Sequence, residues 1–456
     1  MIAIFIIGEE ILFLYFLPAI MRLAINNSKF KLMINFKPFK STYLCWFFAT
    51  NFILISCAVK TNVKDLPLEV PNSYAEKLIL RTGAERTNLY LKLLKGKNVA
   101  IVGNQTSILV RSEKQKAISE KQNRIHLVDS LLSLEIKVKK VFAPEHGFRG
   151  EADAGEVVKN GFDTKTGLPV ISLYGENKKP SADQLKNIDV VVFDIQDVGA
   201  RFYTYISSLH YVMEACAELE IPVILLDRPN PNGHYIDGPV LELEHKSFVG
   251  MHKVPVVYGM TIGEYGQMIN GEKWLENGIQ CDLTVIPVQG YTHKTEYKLL
   301  VKPSPNLPNN KSINLYPSLC FFEGTNVSVG RGTEMQFQVV GSPYLKFKPF
   351  NFKFIPKPNK GAKYPKHTGE VCYGYDLRKQ KKIDRIELKW LVDFYEGNKS
   401  YSKEKEFFTT FFAKLAGTKK LQQQIEEGIL EQEIRKTWQN DIEEFKKIRE
   451  KYLLYE

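Results

Sequence analysis

A glutamate and a histidine follow a short apolar segment in the chain, and charged residues and glycines come directly after them. The segment from Val138 to Ala143 predicts a buried strand, which Pro144 ends because proline has no backbone donor. Glu145 and His146 therefore lie at the carboxyl end of this strand. In open parallel α/β sheets ligands bind at that edge, because the loops leaving it surround one crevice. The alternative is a solvated surface loop without a chemical role.

Other apolar segments predict further strands at 98–103, 170–174, 190–194 and 222–226, and they alternate with helical stretches. This alternation predicts an α/β fold with a doubly wound parallel sheet. Polar residues follow every one of these strands, so we expect their side chains to meet at one edge. The clusters are Asn104-Gln105-Thr106, Glu145-His146, Tyr174-Gly175, Asp194-Ile-Gln-Asp197 with Arg201, and Asp227-Arg-Pro-Asn-Pro-Asn-Gly233.

Several kinds of site are excluded by the motifs that the sequence lacks. Neither G-x-G-x-x-G after the first strand nor G-x-x-x-x-G-K-[ST] occurs, so a dinucleotide site and a P-loop are not supported. The sequence has no G-x-S-x-G, and it therefore offers no credible nucleophilic triad. Glu151, Asp153 and Glu156 could in principle bind a hard cation, but their spacing is not that of an EF-hand. We therefore expect neither a cofactor nor a metal.

Carboxyl chemistry is what remains, and it suits cleavage of a glycosidic bond. Glu145 is the predicted general acid, because burial behind Pro144 and the charges of Asp194 and Asp197 would raise its pKa. Asp197 is the preferred base or stabilising partner, since Asp194 lies closer to the body of its strand. The alternative for Glu145 is a structural role in capping the following turn.

The chain has 456 residues, which is enough for two domains of ordinary size, and its formal net charge is +11. No Arg-rich helix or aromatic-interleaved basic stripe accompanies this charge, so nucleic-acid binding is not predicted. Anionic surroundings such as envelope polymers are favoured instead. Cys216, Cys281, Cys320 and Cys372 form no C-x-x-C motif, and buried free thiols are expected, with disulfides left open.

Residues 1–57 are interpreted as an N-terminal extension outside the main fold, followed by a linker at 58–72. From Met33 the sequence is typical of a signal peptide, and Leu54-Ile55-Ser56-Cys57 resembles a bacterial lipobox. Cys57 is therefore the expected lipidation site, and the membrane is an expected partner through this anchor. A transmembrane anchor is the alternative. Either reading places the protein in the cell envelope, outside the cytoplasm, in the periplasm or at the outer membrane.

Five blocks of sequence, in order, resemble the NamZ/YbbC-like exo-β-N-acetylmuramidase family, and the resemblance extends from about Asn98 to the end. The blocks are Glu145-His-Gly-Phe-Arg-Gly150, Asp194-Ile-Gln-Asp-Val-Gly-Ala-Arg-Phe-Tyr-Thr-Tyr205, Asp227-Arg-Pro-Asn-Pro231, Ser304-Pro-Asn-Leu-Pro308 and Phe322-Glu-Gly-Thr-Asn-Val-Ser-Val-Gly-Arg-Gly-Thr-Glu334.

The resemblance implies a Rossmann-like catalytic domain without a nucleotide, at 73–300, and a smaller α/β domain at 301–456 that completes the cleft. It implies removal of N-acetylmuramic acid from the non-reducing ends of peptidoglycan fragments, so muramyl saccharides are the expected partners. Only the N-terminal extension and the Lys/Pro-rich insert at about 355–366 look individual. Two helices are predicted near the end, at 385–395 and 422–455.

The expected catalytic residues are Glu145, Asp197 and His146. Arg201 or Arg331 should bind the lactyl carboxylate that distinguishes muramic acid from glucosamine, unless it forms a structural salt bridge. A sugar-binding protein without turnover and an envelope amidase or esterase are the rival functions. The expected substrate contacts are Asn104, Gln105, Arg149, Asp194, Arg201, Tyr203, Asn230, Asn306, Asn326, Arg331 and Glu334.

Overall fold

The computed structural model describes residues 2–7, 10–17, 20–27, 30–36, 79–110, 124–149, 160–345, 348–401 and 406–456. The proposed lipidation site Cys57, the linker at 58–72 and the acidic residues Glu151, Asp153 and Glu156 lie outside this part of the chain. Contacts divide the chain into two compact units, Met1–Pro71 and Asn72–Glu456. Among the described residues, no helix combines the length and the apolar character needed to cross a bilayer.

The first unit contains a four-stranded antiparallel sheet in which sequential strands are neighbours. Strands are not predicted there from the sequence. Its strands are β1 (Ile2–Ile7), β2 (Glu10–Leu17), β3 (Ile20–Asn27) and β4 (Phe30–Phe36).

A seven-stranded sheet forms the centre of the second unit, and six of its strands are parallel. The strand order is β13-β12-β11-β5-β8-β10-β9, and the short edge strand β9 is antiparallel. This is the Rossmann order, which confirms the predicted doubly wound α/β fold. The strands are β5 (Asn98–Gly103), β8 (Lys137–Ala143), β9 (Gly161–Phe162), β10 (Pro169–Ser172), β11 (Val190–Asp194), β12 (Val223–Leu226) and β13 (Leu283–Ile286). A separate hairpin joins β6 (Ile108–Val110) to β7 (Arg124–His126).

Both faces of this sheet are buried because successive strand residues point to opposite sides. In β11, Val190 and Val192 pack into one apolar cluster, whereas Val191 and Phe193 pack into a larger one on the other face. Helices cover the two faces. They are α1 (Thr87–Leu94), α2 (Leu127–Ser133), α3 (Ala182–Leu185), α4 (Tyr205–Glu218) and α5 (Ile262–Gly271).

The later part of the chain adds a three-stranded antiparallel sheet and further helices. Its residues share the larger apolar cluster with the central sheet, so one continuous core joins the two halves of this unit. The predicted helix over 422–455 is wrong: three helices occur, and Gly428 follows the first with φ of 74°, a left-handed conformation that ends it. The elements are α6 (Asn310–Leu319), β14 (Val339–Ser342), β15 (Phe352–Phe354), β16 (Cys372–Asp376), α7 (Leu388–Tyr401), α8 (Phe412–Ala416), α9 (Lys420–Glu426), α10 (Glu431–Lys436) and α11 (Gln439–Glu450).

The four predicted thiols are buried and free, as expected. They are Cys216, Cys281, Cys320 and Cys372.

Candidate active site

Glu145 leaves the sheet at the carboxyl end of β8, next to the central strand β5. His146 and Gly147 adopt φ of 73° and 75°, so the chain turns sharply as soon as Glu145 has been placed. His146 is buried, whereas Glu145 is half-buried. The turn therefore leaves the carboxyl group of Glu145 partly accessible, whereas the side chain of His146 is enclosed.

Two hydroxyl groups from neighbouring elements fix the carboxyl group of Glu145. Tyr174, just after β10, donates to Oε1 at 3.2 Å, and Thr204, at the start of α4, donates to Oε2 at 3.2 Å. The hydroxyl of Tyr205 donates to the Glu145 carbonyl at 3.4 Å. Burial and the charge of Glu145 raise the pKa of Tyr205, which therefore keeps its proton and remains a donor. Residues next to β10 and α4 thus hold the carboxyl group that follows β8.

Aromatic rings line the region beside Glu145. The rings of Tyr203 and Tyr205 meet edge to face with centroids 4.9 Å apart, and Tyr203 meets Tyr316 of α6 at 5.8 Å. The Tyr203 hydroxyl donates to the carbonyl of Pro303 at 2.8 Å. These contacts join the β11–α4 loop to the segment that precedes α6, so both halves of the unit build the site.

Asp197, from the loop after β11, is buried, with 3% of its surface exposed. Its Oδ2 accepts hydrogen bonds from the Tyr258 hydroxyl and from the backbone N–H of Gly199, the latter at 2.7 Å. Among the described residues, Oδ1 has no hydrogen-bond partner. Burial raises the pKa of Asp197 to about 6, against the opposing effect of these donors. Asp197 thus keeps its proton to a higher pH than an ordinary aspartate does.

A third carboxyl group, Glu323, enters from the short 3-10 helix Cys320–Gly324, and its side chain is 25% exposed. Arg331 donates from Nε to Glu323 Oε1 at 2.7 Å and lies 5.2 Å from the centre of the Phe337 ring. The ammonium group of Lys366 donates to the Glu323 carbonyl at 3.1 Å. Phe337 contacts Tyr316, so the Arg331–Glu323 pair lies close to the tyrosine rings described above.

Four of the expected substrate contacts support loops instead. Asp194 is fully buried and forms a bidentate ion pair with Arg228, at 2.6 and 2.9 Å. Asn230 is buried and donates to the carbonyl of Met260 at 2.8 Å. Asn104 is buried and donates to the Tyr205 hydroxyl at 2.8 Å, which positions that tyrosine against Glu145.

Arg201 is the fourth expected substrate contact that has a structural role. Its side chain is wholly enclosed, with 0% of the residue exposed. The guanidinium donates to four backbone carbonyls at 2.7 to 2.9 Å, and therefore cannot serve as a substrate contact as the sequence analysis expected. The acceptors are Pro239, Val254, Leu415 and Ala416.

The remaining predicted contacts occupy different positions around the cleft. Arg149 pairs with Asp163 at 2.7 Å and with Asp129 at 3.3 Å. Gln105 donates at 3.2 Å to the carbonyl of Pro303, which also accepts from the Tyr203 hydroxyl. Asn306 donates to Gly361, Asn326 donates to Asn398 and to the carbonyl of Glu406, and Glu334 is exposed.

Among the described residues, one cavity and two acidic clusters are built from other elements. A surface cavity of about 420 Å³ is lined by β15, β16 and α7, none of which supplies a predicted site residue. Glu214, Glu218 and Glu276 could offer oxygen ligands to a cation, but Lys179 already pairs with the first two at 2.8 and 2.7 Å. Glu242, Glu244 and His245 form the other such group.

The residues Thr204, Tyr205, Glu323 and Lys366 were not predicted as site residues. The first three belong to the sequence blocks, so a polar side chain within a block was the available signal. Lys366 gave no such signal, because it ends the Lys/Pro-rich insert, and only the fold brings it to Glu323.

A Rossmann-order sheet with carboxyl groups and tyrosines at its carboxyl edge defines an α/β protein with an acid–base cleft between two halves. The models of two domains match this chain: exo-β-N-acetylmuramidase NamZ, N-terminal, at residues 99–311, and its C-terminal counterpart at 314–455. The chain belongs to the NamZ family.

Known relatives of the chain cover most of its length. The peptidoglycan β-N-acetylmuramidase NamZ of Bacillus subtilis (strain 168) is 37% identical over 409 residues, 84% of this chain and 93% of that protein. A DUF1343 family protein of Bacteroides fragilis matches with a TM-score of 0.73 and 43% identity, over 83% of this chain and 99% of its own. A second DUF1343 family protein of Bacteroides fragilis matches with a TM-score of 0.69 and 27% identity, over 83% of this chain and 100% of its own.

Proposed function

We propose that this protein is an exo-acting glycoside hydrolase that removes N-acetylmuramic acid from the non-reducing ends of peptidoglycan fragments. The observation that carries this proposal is the accessible carboxyl group of Glu145, held by Tyr174 and Thr204 in a cleft with further carboxyl groups. Membership of the NamZ family supports the same activity, and the Bacillus subtilis relative is named a peptidoglycan β-N-acetylmuramidase.

Glu145 acts as the general acid in this mechanism. It protonates the glycosidic oxygen as the bond from that oxygen to the anomeric carbon breaks. The oxygen of a water molecule then bonds to the anomeric carbon, and the proton that this water gives up restores the acid. The hydroxyl groups of Tyr174 and Thr204 orient the two oxygens of this carboxyl group. When Asp197 is ionised, its negative charge stabilises the positive charge that develops on the sugar ring.

Arg331 is the group that recognises the lactyl carboxylate of muramic acid. Its Nε is held by Glu323, which fixes the plane of the guanidinium, and the side chain remains partly exposed. A guanidinium binds a carboxylate through two parallel hydrogen bonds, which gives both affinity and orientation. Glucosamine lacks the lactyl group and therefore gains nothing from this contact.

The direct test is incubation with a disaccharide that carries N-acetylmuramic acid at its non-reducing end, with product analysis by mass spectrometry. We expect free N-acetylmuramic acid and the second sugar. An amidase or esterase would release material from the lactyl or peptide group and leave the disaccharide bond intact. A binding protein would leave the whole substrate intact, and either of these results would refute the proposal. The matched control is a disaccharide with N-acetylglucosamine at the non-reducing end, which should persist.

We further propose that the protein is lipid-anchored at Cys57 and works in the cell envelope. The sequence before this cysteine supports the proposal, since a short apolar run ends in Leu54-Ile55-Ser56-Cys57. Cells fed a fatty-acid probe should label the wild-type protein and fail to label Cys57→Ser. Equal labelling of the two proteins would contradict the anchor.

A further inference from the structure

The Lys/Pro-rich insert, residues 355–366, folds against the part of the site contributed by the later half of the chain. Backbone hydrogen bonds close it into a tight turn between Asn359 and Ala362, with both N···O distances at 3.1 Å. Gly361, within that turn, accepts a hydrogen bond from the side chain of Asn306 at 2.7 Å. The insert is therefore attached directly to the Ser304–Pro308 block.

A second set of contacts attaches the insert to the Gly-rich block that carries Arg331. The N–H of Lys357 donates to the carbonyl of Gly332 at 2.8 Å. A Cβ on Gly332 would lie 2.6 Å from Pro365, so the proline ring packs directly on this glycine. Lys366 then holds the carbonyl of Glu323. The insert thus passes along the outer edge of the proposed lactyl-binding group.

Tyr364 projects from this firmly held insert, and 95% of its surface is exposed. No other large apolar or aromatic side chain among the described residues reaches that exposure. A ring in this position gains almost nothing from packing in the free protein. Its backbone is nevertheless restrained, because it lies between the packed residues Ala362 and Pro365. A restrained, exposed tyrosine is suited to contact a ligand at a low cost in conformational entropy.

The charge of the insert indicates what this ligand is. Residues 355–366 contain Lys357, Lys360, Lys363 and Lys366 and no acidic residue. The proposed substrate is anionic beyond the bond that is cleaved, since its saccharides carry lactyl or peptide carboxylates. Exposed lysines attract such groups over about 8 to 10 Å at physiological salt.

We infer that residues 355–366 form a subsite for the leaving side of the substrate, in which a pyranose ring stacks on Tyr364 and Lys357 and Lys360 attract its carboxylates. This inference rests on the proposed function, because it assumes that a saccharide chain extends out of the cleft. Two hydrogen bonds connect the subsite to the active site. Tyr203 donates to the carbonyl of Pro303, and Asn306, three residues further along the chain, donates to the carbonyl of Gly361.

The test compares Tyr364→Ala with wild type on three substrates of increasing length: an aryl N-acetylmuraminide, a muramyl disaccharide and a muramyl tetrasaccharide. We expect KM for the tetrasaccharide to rise about three- to tenfold, as for the loss of one ring contact, and KM for the aryl substrate to stay unchanged. Tyr364→Phe should behave as wild type, because it keeps the ring. Phe162→Ala, which removes a 74% exposed ring from the edge strand β9, is the matched control.

A binding measurement separates this inference from the proposed function. The leaving-side trisaccharide, titrated calorimetrically, should bind wild type more tightly than Tyr364→Ala, whether or not any substrate is cleaved. Binding without cleavage would refute the proposed function and support the subsite. Equal KM values and equal binding of the two proteins would overturn the subsite. A change in oligomeric state of Tyr364→Ala with unchanged saccharide binding would likewise overturn it.

Discussion

The hydroxyl group of Tyr174 lies 3.2 Å from Oε1 of Glu145, although the two residues follow different strands of the sheet. Because β8 and β10 are parallel neighbours, their carboxyl ends deliver both side chains to the same place. The hydroxyl orients the carboxyl group and leaves part of it accessible. Substitutions at the two positions therefore have separable consequences.

Glu145→Gln keeps the shape of the side chain and removes the transferable proton. We expect kcat on a natural disaccharide to fall on the order of 10²-fold more than kcat on an aryl glycoside with an activated leaving group. The activated substrate needs little protonation, which is the reason for the difference. Tyr174→Phe, the control, should reduce kcat less, because only orientation is impaired. Equal losses on the two substrates would instead make Glu145 a nucleophile or a binding residue.

Arg331→Lys should lower the preference for muramyl over glucosaminyl substrates by about tenfold or more, since an ammonium group cannot bind a carboxylate through a planar pair of donors. Competition between the two substrates measures this preference. Arg201→Lys is the contrasting variant: it leaves buried carbonyls without donors, and the free energy of unfolding should fall by about 2 to 4 kcal/mol. An unchanged preference in Arg331→Lys would contradict the assignment.

Asp197→Asn should remove the contribution that protonation of Asp197 makes to the pH dependence of the unfolding free energy. A carboxyl group with pKa of about 6 when folded and about 4 when unfolded favours folding most at low pH, and this contribution is lost as the pH rises through 6. Relative to wild type, the variant should gain about 2 kcal/mol in unfolding free energy between pH 4 and pH 7.5. Urea unfolding at both pH values measures this. A constant difference between the proteins would show that the Asp197 pKa is not raised.

Tyr455→Phe should destabilise the protein by about 1 to 3 kcal/mol. The Tyr455 hydroxyl donates to Asp227 Oδ2 at 2.6 Å and accepts from the N–H of Val288 at 2.7 Å. Its loss leaves the buried N–H of Val288 without this acceptor and leaves Asp227 Oδ2 with the hydroxyl of Thr261 as its remaining donor. Tyr452→Phe is the matched control, because its hydroxyl bonds Glu272, which lies closer to solvent. Similar unfolding free energies for the two variants would refute the argument.

Much of the sheet could be predicted because a strand buried on both faces is continuously apolar, as Val190–Asp194 is. The contact between Glu145 and Tyr174 followed from the rule that parallel strands end at one edge. The role of Arg201 could not be predicted, because its partners are backbone carbonyls, which carry no side-chain signal. Helix ends were also missed: Gly428 divides a segment whose apolar spacing is continuous.

Tyr364 and Lys366 were beyond prediction for a different reason. An insert shows no periodicity, so the sequence does not tell which surface it covers. Its attachment depends on small distances, such as the close approach of Pro365 to Gly332, that only coordinates provide.

The carbonyls that surround Arg201 have a consequence for how the protein is made. Leu415 and Ala416 are 214 and 215 positions further along the chain, so they leave the ribosome long after the arginine does. Until they arrive, the guanidinium lacks two of its acceptors and the interior around it stays open. Chain segments so far apart close slowly. We expect the nascent first half to remain incompletely packed. An exchange of halves between relatives should succeed only when helix α8, which ends at Ala416, is exchanged together with the residues that surround Arg201.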